Sequence, residues 1–342
     1  MLEPELLALL ADHYGLAGAT LELLSGGAER ERAVYRVPDG HGASWALRAY
    51  RATARLPEHL RGCGAPDPAT FLRSRATTLA FLERQGYPAP RVRPTRGGAL
   101  VAEAGGWCCL VTTFVAGDRP GPTPDVLRAL GEAVGRLHRL PCERTAPGAL
   151  GTSYWPPGRA IADTLARLEA GAGVLPTMWR PVVAAYGATL RELQGEPALP
   201  TAIVHGDAWV GNAVVAPGRP LVLIDWDVAG LGAAALDLGR LLVGAHWGRE
   251  GPPPLLEPDS ARIAAVLDGY CRARRPAAAE RERLLAATRF GVVFVAANHI
   301  GSLAAGAGGG EASDAILHRT WAWYEACVPI AAIAEARLRT GG

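Results

Sequence analysis

Asp207, Asn212 and Asp225 are the residues of this 342-residue chain whose types and spacing could do chemistry. They stand in Ile203-Val204-His205-Gly206-Asp207-Ala208-Trp209-Val210-Gly211-Asn212 and in Leu223-Ile224-Asp225-Trp226-Asp227. Two carboxylates and an amide offer hard oxygen ligands of the kind that suit Mg²⁺ beside a nucleotide's phosphates. Phosphoryl transfer asks mainly for positioning and neutralisation of charge, so a small set suffices. Asp207 could take the proton of an attacking hydroxyl, with Asn212 and Asp225 holding the metal.

Short elements must deliver these groups. Apolar Ala202, Ile203 and Val204 lead into Gly206, which permits a sharp turn before Asp207. Ala213-Val214-Val215 and Leu221-Val222-Leu223-Ile224 predict a hairpin about Gly218, with Asp225 at its exit. An isolated His-Gly-Asp is ordinarily a turn and an isolated strand-end Asp a cap. The three groups in this order are what point to catalysis.

The pattern resembles that of the aminoglycoside phosphotransferase and choline kinase group, small-molecule kinases of the protein-kinase-like fold. That family carries His-Gly-Asp, four residues, Asn, then Ile-Asp-Trp and an acidic residue. The resemblance implies Asp207 as catalytic base, Asn212 and Asp225 as magnesium ligands, and His205 as support for the loop. Gly230, Gly232 and Asp237-Leu238 resemble the stretch in which an Asp fixes the catalytic loop, although the usual Gly-Asp-Pro is here Gly232-Ala233-Ala234. Leu130 to His138 resembles the helix ending in Leu-His, and Leu110 to Gly117 the hinge between lobes. About 220 residues, Leu24 to Val243, follow the family pattern.

The nucleotide side is marked less sharply. Ser25-Gly26-Gly27 could bring backbone N–H groups close to phosphates, yet it is neither a Walker motif nor Gly-x-Gly-x-x-Gly. Arg48 takes the place where relatives carry a phosphate-binding lysine; a guanidinium grips phosphate bidentately but with altered geometry. Its expected acidic partner is missing from the following helix, where Ser74, Arg75, Ala76, Thr77 and Thr78 fill the relevant turns. At the hinge, the resemblance implies backbone contacts of Thr113 and Val115 to an adenine edge. ATP and GTP are both compatible with this.

Composition sets bounds. Hydrophobic residues at 49% and charged residues at 20% describe a folded globular chain with two lobes rather than a disordered one. The net charge of +2 gives no footprint for nucleic acid or an anionic membrane. All 35 basic residues are arginine. Six scattered cysteines without Cys-x-x-Cys argue against a disulfide framework and fit a cytoplasmic setting. Gly291 to Gly310 is free of formal charge, but Asn298, His299, Ser302 and glycines interrupt it, which predicts a buried helix and loop rather than a membrane span.

Leu6, Leu7, Leu10 and Tyr14 predict a first amphipathic helix. Strands follow at 34–37 and 45–50, a helix at 69–85, and a hairpin about Gly105-Gly106. From Pro124 the pattern is mainly helical. Together with the resemblance, these elements imply an α+β, bilobal protein-kinase-like fold: an N-terminal nucleotide-binding lobe over 1–112 with a small antiparallel sheet and one helix, a hinge at 113–117, and a helical catalytic and substrate-binding lobe over 118–342.

The acceptor is less legible. Leu241 to Gly342 holds ten acidic residues against eleven arginines, so no acidic excess announces a polycationic substrate. Asp227 and Trp247 are candidate acceptor-side residues, with His246 and Asn298 weaker ones. Trp321, Trp323 and Tyr324 could stack on a ligand, but read better as core aromatics. The resulting expectation is a Mg²⁺- and ATP- (or GTP-) dependent O-phosphotransferase acting on a small-molecule hydroxyl. The resemblance makes an aminoglycoside or macrolide antibiotic the leading acceptor. The alternatives are a metabolite kinase for homoserine, choline or another amino alcohol, and a nucleotide-binding pseudokinase or sensor.

Overall fold

Alternation along the strands decides how the first part of the chain folds. In the computed structural model, which describes residues 3–26, 31–56, 65–141, 159–306 and 311–340, Ala33, Tyr35, Val37, Leu47 and Ala49 are buried on one face of a sheet, while Tyr50, Cys108 and Leu110 are buried on the other. Two compact units divide the described residues. One takes those of Met1–Gly117 and Val222–Gly230; the other takes those of Asp118–Cys142, Trp155–Leu221 and Leu231–Gly342.

In the first unit, α1 (Glu3–Tyr14) precedes β1 (Glu22–Gly26), β2 (Arg32–Pro38) and β3 (Ser44–Arg51). Then come α2 (Pro68–Arg84), β4 (Ala102–Ala104) and β5 (Trp107–Thr113). The strands form one antiparallel sheet in the order β1-β2-β3-β5-β4. The sequence suggests one helix for this sheet; the structure puts α1 on one face and α2 on the other. Tyr14 ties α1 down: its hydroxyl donates to Cys109 O at 2.9 Å and accepts from Ala102 N–H at 3.2 Å. Asp67 starts α2 by accepting from Thr70 N–H at 2.8 Å, with Pro68 in the first turn where its missing N–H costs nothing. The β4–β5 turn uses Gly105 and Gly106, both at positive φ, as that hairpin requires.

The second unit is mainly helical. α3 (Pro124–His138), α4 (Arg159–Gly171) and α5 (Arg180–Leu193) come first, then β6 (Thr201–Val204), which pairs with β7 (Gly230–Ala233). α6 (Ala234–Gly244), α7 (Ser260–Ala273), α8 (Ala278–Glu282), α9 (Leu284–Ala304) and α10 (Glu311–Thr340) follow. α3 and α7 touch backbone to backbone, because Gly131, Gly135 and Gly269 carry no Cβ at the crossing. α9 is apolar on every side and long enough to span a bilayer, yet most of it is buried inside this unit against α4, α6 and α10. That agrees with the buried helix expected from Gly291 onward.

Candidate functional site

The second unit builds Asp207 into a fixed position from below. β6 is buried at Ala202, Ile203 and Val204 and runs into His205, itself without solvent exposure. Gly206 turns at φ 80°, left-handed space that glycine enters freely. Asp237, near the start of α6, accepts the backbone N–H of His205 at 3.0 Å and of Gly206 at 2.8 Å. His205 Nδ1 accepts from Asp207 N–H at 3.3 Å.

A buried chain stands behind Asp237. Glu280 holds Arg274 at 2.8 and 3.0 Å, and Arg274 donates to the Tyr270 hydroxyl at 2.7 Å. With that oxygen already accepting, its proton goes to His138 Nδ1 at 2.8 Å, which leaves His138 Nε2–H to donate to Asp237 Oδ2 at 3.0 Å. Burial alone would push the Asp237 carboxyl up. The His138 Nε2–H hydrogen bond, the polar imidazoles of His138 and His205 beside it and the His205 N–H outweigh burial and hold it below the usual carboxylate range. Burial raises Tyr270 well above an ordinary phenol, so its proton stays in the chain.

Both oxygens of Asp207 are engaged. Arg240, on α6, donates to Oδ1 at 2.5 Å, and Asn212 Nδ2 donates to Oδ2 at 2.8 Å and to the Asp207 carbonyl at 2.9 Å. A carboxylate only accepts, so the Asn212 amino group must face it and the amide oxygen is left for a cation. Trp209, Gly211 and Asn212 share one tight turn, where a side chain at Gly211 would collide with the Trp209 ring. Arg240 also lies 4.0 Å over Trp247, whose ring meets Trp209 edge-on at 5.3 Å.

The first unit carries a second cluster. Asp225 is in the left-handed region at φ 61°, the one described non-glycine residue there. Arg48 reaches Asp225 Oδ1 at 3.1 Å and also forms an ion pair with Asp227. Arg48, which finds no acidic partner on the following helix, is thus paired elsewhere. Its counter-charges are supplied by residues 177 and 179 positions onward, which no local pattern exposes. Arg75 of α2, 2% exposed, donates to the carbonyls of Asp227 and Ala229. Trp226 is buried, donates to Leu223 O at 2.8 Å and meets Tyr87 edge-on.

The remaining sequence candidates fall as follows. Ser25 and Gly26 end β1 exposed, and Gly27 lies outside the described residues. Thr113 already spends its N–H on Arg91 O at 2.8 Å and its hydroxyl on Arg91 N–H at 2.9 Å; Val115 is half-buried. Asp227 is paired with Arg48 and partly exposed, and Trp247 is buried under Arg240. His246 is structural: it bonds Leu242 O and accepts from Asp259 N–H, and burial lowers its ring below the ordinary value. Asn298 is bonded by Arg167 at 2.9 Å. Trp323 and Tyr324 are core residues. The described cysteines, Cys108, Cys109, Cys271 and Cys327, are free thiols.

Sequence reasoning missed Arg240, Arg75 and the role of His138 with Tyr270. Two signals were present. Arg240 lies three residues after Asp237 on one helix face, and Arg75 interrupts the apolar stripe Phe71, Leu72, Ala76 and Leu79. Asn212 and Asp225 fit a hard cation in donor type, and among the described residues no His, Cys, Asp and Glu cluster forms an all-protein metal cage.

The sequence matches the family described as Phosphotransferase enzyme family over residues 20–290. It is 28% identical over 247 residues to a Deinococcus radiodurans protein described as uncharacterized, covering 70% of this chain and 66% of that relative's length. Among solved structures, an amicoumacin kinase in complex with AMP-PNP, Ca²⁺ and Ami superposes with a TM-score of 0.66 at 16% identity, covering 94% of this chain and 93% of that one. A choline/ethanolamine kinase family protein from Mesorhizobium loti gives 0.60 at 20% identity, covering 100% of both chains. A spectinomycin phosphotransferase in complex with ADP and spectinomycin gives 0.57 at 15%, covering 98% and 99%. At such identities the likeness establishes the α+β protein-kinase-like fold and no more.

Proposed function

Because the chain belongs to the phosphotransferase enzyme family, we propose that it moves the terminal phosphoryl group of ATP to a hydroxyl of a small molecule. The observation that carries this reading is the Asp207–Asn212 pair. One hydrogen bond fixes the carboxylate oxygen and simultaneously leaves the amide oxygen to a cation. Asp207 receives the proton of the attacking hydroxyl, and Arg240 and Asn212 fix the direction from which it does so. Asn212 and Asp225 would hold Mg²⁺, which when bound neutralises phosphate charge. Arg48 offers its guanidinium to the phosphates. The donor is ATP or GTP.

An antibiotic hydroxyl is the leading acceptor, since the similar solved structures include kinases of amicoumacin and spectinomycin. Arg240 favours a second reading. A polycationic aminoglycoside would meet this guanidinium at the carboxylate that must take its proton, whereas a neutral or zwitterionic metabolite alcohol would not.

Purified protein with Mg·ATP and a panel of aminoglycosides, macrolides, other antibiotics and amino alcohols tests the proposal, with ³¹P NMR reading the new phosphate ester. Transfer to one acceptor, reduced about 10²-fold or more in Asp207→Asn, is the expected result. Nucleotide binding without transfer to any hydroxyl would overturn it in favour of a sensor.

A further inference from the structure

We infer that Asp227 is the residue that positions Arg48, so that the phosphate-gripping cation is anchored to the loop bearing Asp225 rather than to a helix. The inference rests on the nucleotide-binding reading above. α2 lies over the sheet face that presents Arg48, yet Pro68 to Leu82 holds no acidic residue, and Glu83 in the last turn pairs with Arg91. The helix supplies a cation instead. Arg75 is buried and binds the carbonyls of Asp227 and Ala229, which fastens the loop from α2. Two arginines and two aspartates thus form a group without net charge.

The two carboxylates differ in accessibility. The Asp225 side chain is 51% exposed, and that of Asp227 is 24% exposed. Asp225 can turn to a cation from solvent, and Arg48 then keeps Asp227 as its counter-ion. Without Asp227, Arg48 has Asp225 alone in this cluster. It would compete with any metal for that carboxylate, because a guanidinium and a divalent ion want the same oxygens.

The competition has a signature. Mn²⁺ in the presence of AMP-PNP is titrated into full-length protein and followed by electron paramagnetic resonance, for wild type, Asp227→Asn, Asp227→Glu, Arg48→Gln and the Arg48→Gln/Asp227→Asn double variant. Asp227→Asn should weaken Mn²⁺ binding about tenfold, the scale of one charge-assisted bond. Asp227→Glu should stay near wild type. The double variant should bind Mn²⁺ as Arg48→Gln does, because removing the competitor cancels the loss. Wild-type Mn²⁺ affinity in Asp227→Asn, or a double variant weaker than Arg48→Gln alone, overturns the inference while leaving nucleotide binding intact. Absence of Mn²⁺·AMP-PNP binding by the wild type overturns both. Should Asp227→Asn fail to fold, adding Arg48→Gln must restore folding, since it removes the uncompensated charge; failure to do so counts against the inference.

Discussion

Arg240 holds Asp207: its guanidinium donates to Oδ1 at 2.5 Å while Asn212 occupies Oδ2. Arg240 and Asp237 lie three residues apart on α6, so one helix face fixes the backbone of residues 205 and 206 and the side chain of 207. Trp247 beneath the guanidinium keeps it from swinging away.

Replacing Arg240 should therefore harm the chemical step and spare nucleotide binding. A charge-assisted hydrogen bond of about 1.5–3 kcal/mol corresponds to a fall in turnover of roughly 10- to 10²-fold for Arg240→Ala. Arg240→Lys should recover part of it, since an ammonium carries the charge without the planar stack. Steady-state kinetics with the acceptor found by screening separate kcat from the nucleotide KM. An unchanged kcat would reduce Arg240 to a packing partner of Trp247.

The left-handed backbone at Asp225 makes a different demand. Asn tolerates this region and a β-branched residue does not. Asp225→Asn and Asp225→Val both lose the ion pair to Arg48, so their difference in stability reads the backbone together with the one acceptor oxygen that Asn keeps. Val should be less stable than Asn by roughly 1–2 kcal/mol in urea denaturation. Equal midpoints would mean that the loop relaxes out of φ 61° at no cost.

How far these features could be read beforehand follows from sequence distance. Asp207 and Asn212 share one turn and Asp225 follows a short strand, so their spacing is visible in a line of text. Strand alternation likewise exposed the sheet, and helical periodicity exposed α1 and α2. Arg48 is different: its partners are 177 and 179 residues away, and only the folded chain closes that gap. Arg75 is hidden for another reason: arginines are usually exposed, and its partners are carbonyl oxygens, which leave no trace in sequence patterns. The His138–Tyr270–Arg274–Glu280 chain spans 142 positions, from a helix end to α8.

The α3–α7 crossing is a packing test independent of catalysis. A methyl group at Gly131 would fall on Val266 O, and one at Gly269 on Arg128 O. Both obstacles are backbone, so the helices must separate. Gly131→Ala and Gly269→Ala should each cost about 1–3 kcal/mol, despite the gain of nearly 1 kcal/mol in helix propensity. Gly121→Ala, with open space around it, is the control and should stay within roughly 0.5 kcal/mol of wild type. Denaturant midpoints decide, and a wild-type midpoint for Gly131→Ala would show that the helices yield freely.

Asp237 links the catalytic loop to acid stability. Its carboxyl is held below the usual range in the folded chain, so it contributes stability that is full above the unfolded value of about 3.9 and disappears as pH falls toward the lower folded value. Asp237→Asn removes the charge facing His138 and puts an amide where two backbone N–H groups must donate. At neutral pH the variant should be weaker by roughly 1–3 kcal/mol, the scale of a buried donor left without its acceptor. Below about pH 4 the wild type protonates Asp237 on unfolding and loses that advantage, so the two thermal midpoints should converge. Melting both proteins from pH 7 to pH 3 gives the comparison. A gap that stays constant across this range would mean that Asp237 acts through shape alone, with its charge irrelevant to how the loop before Asp207 is held.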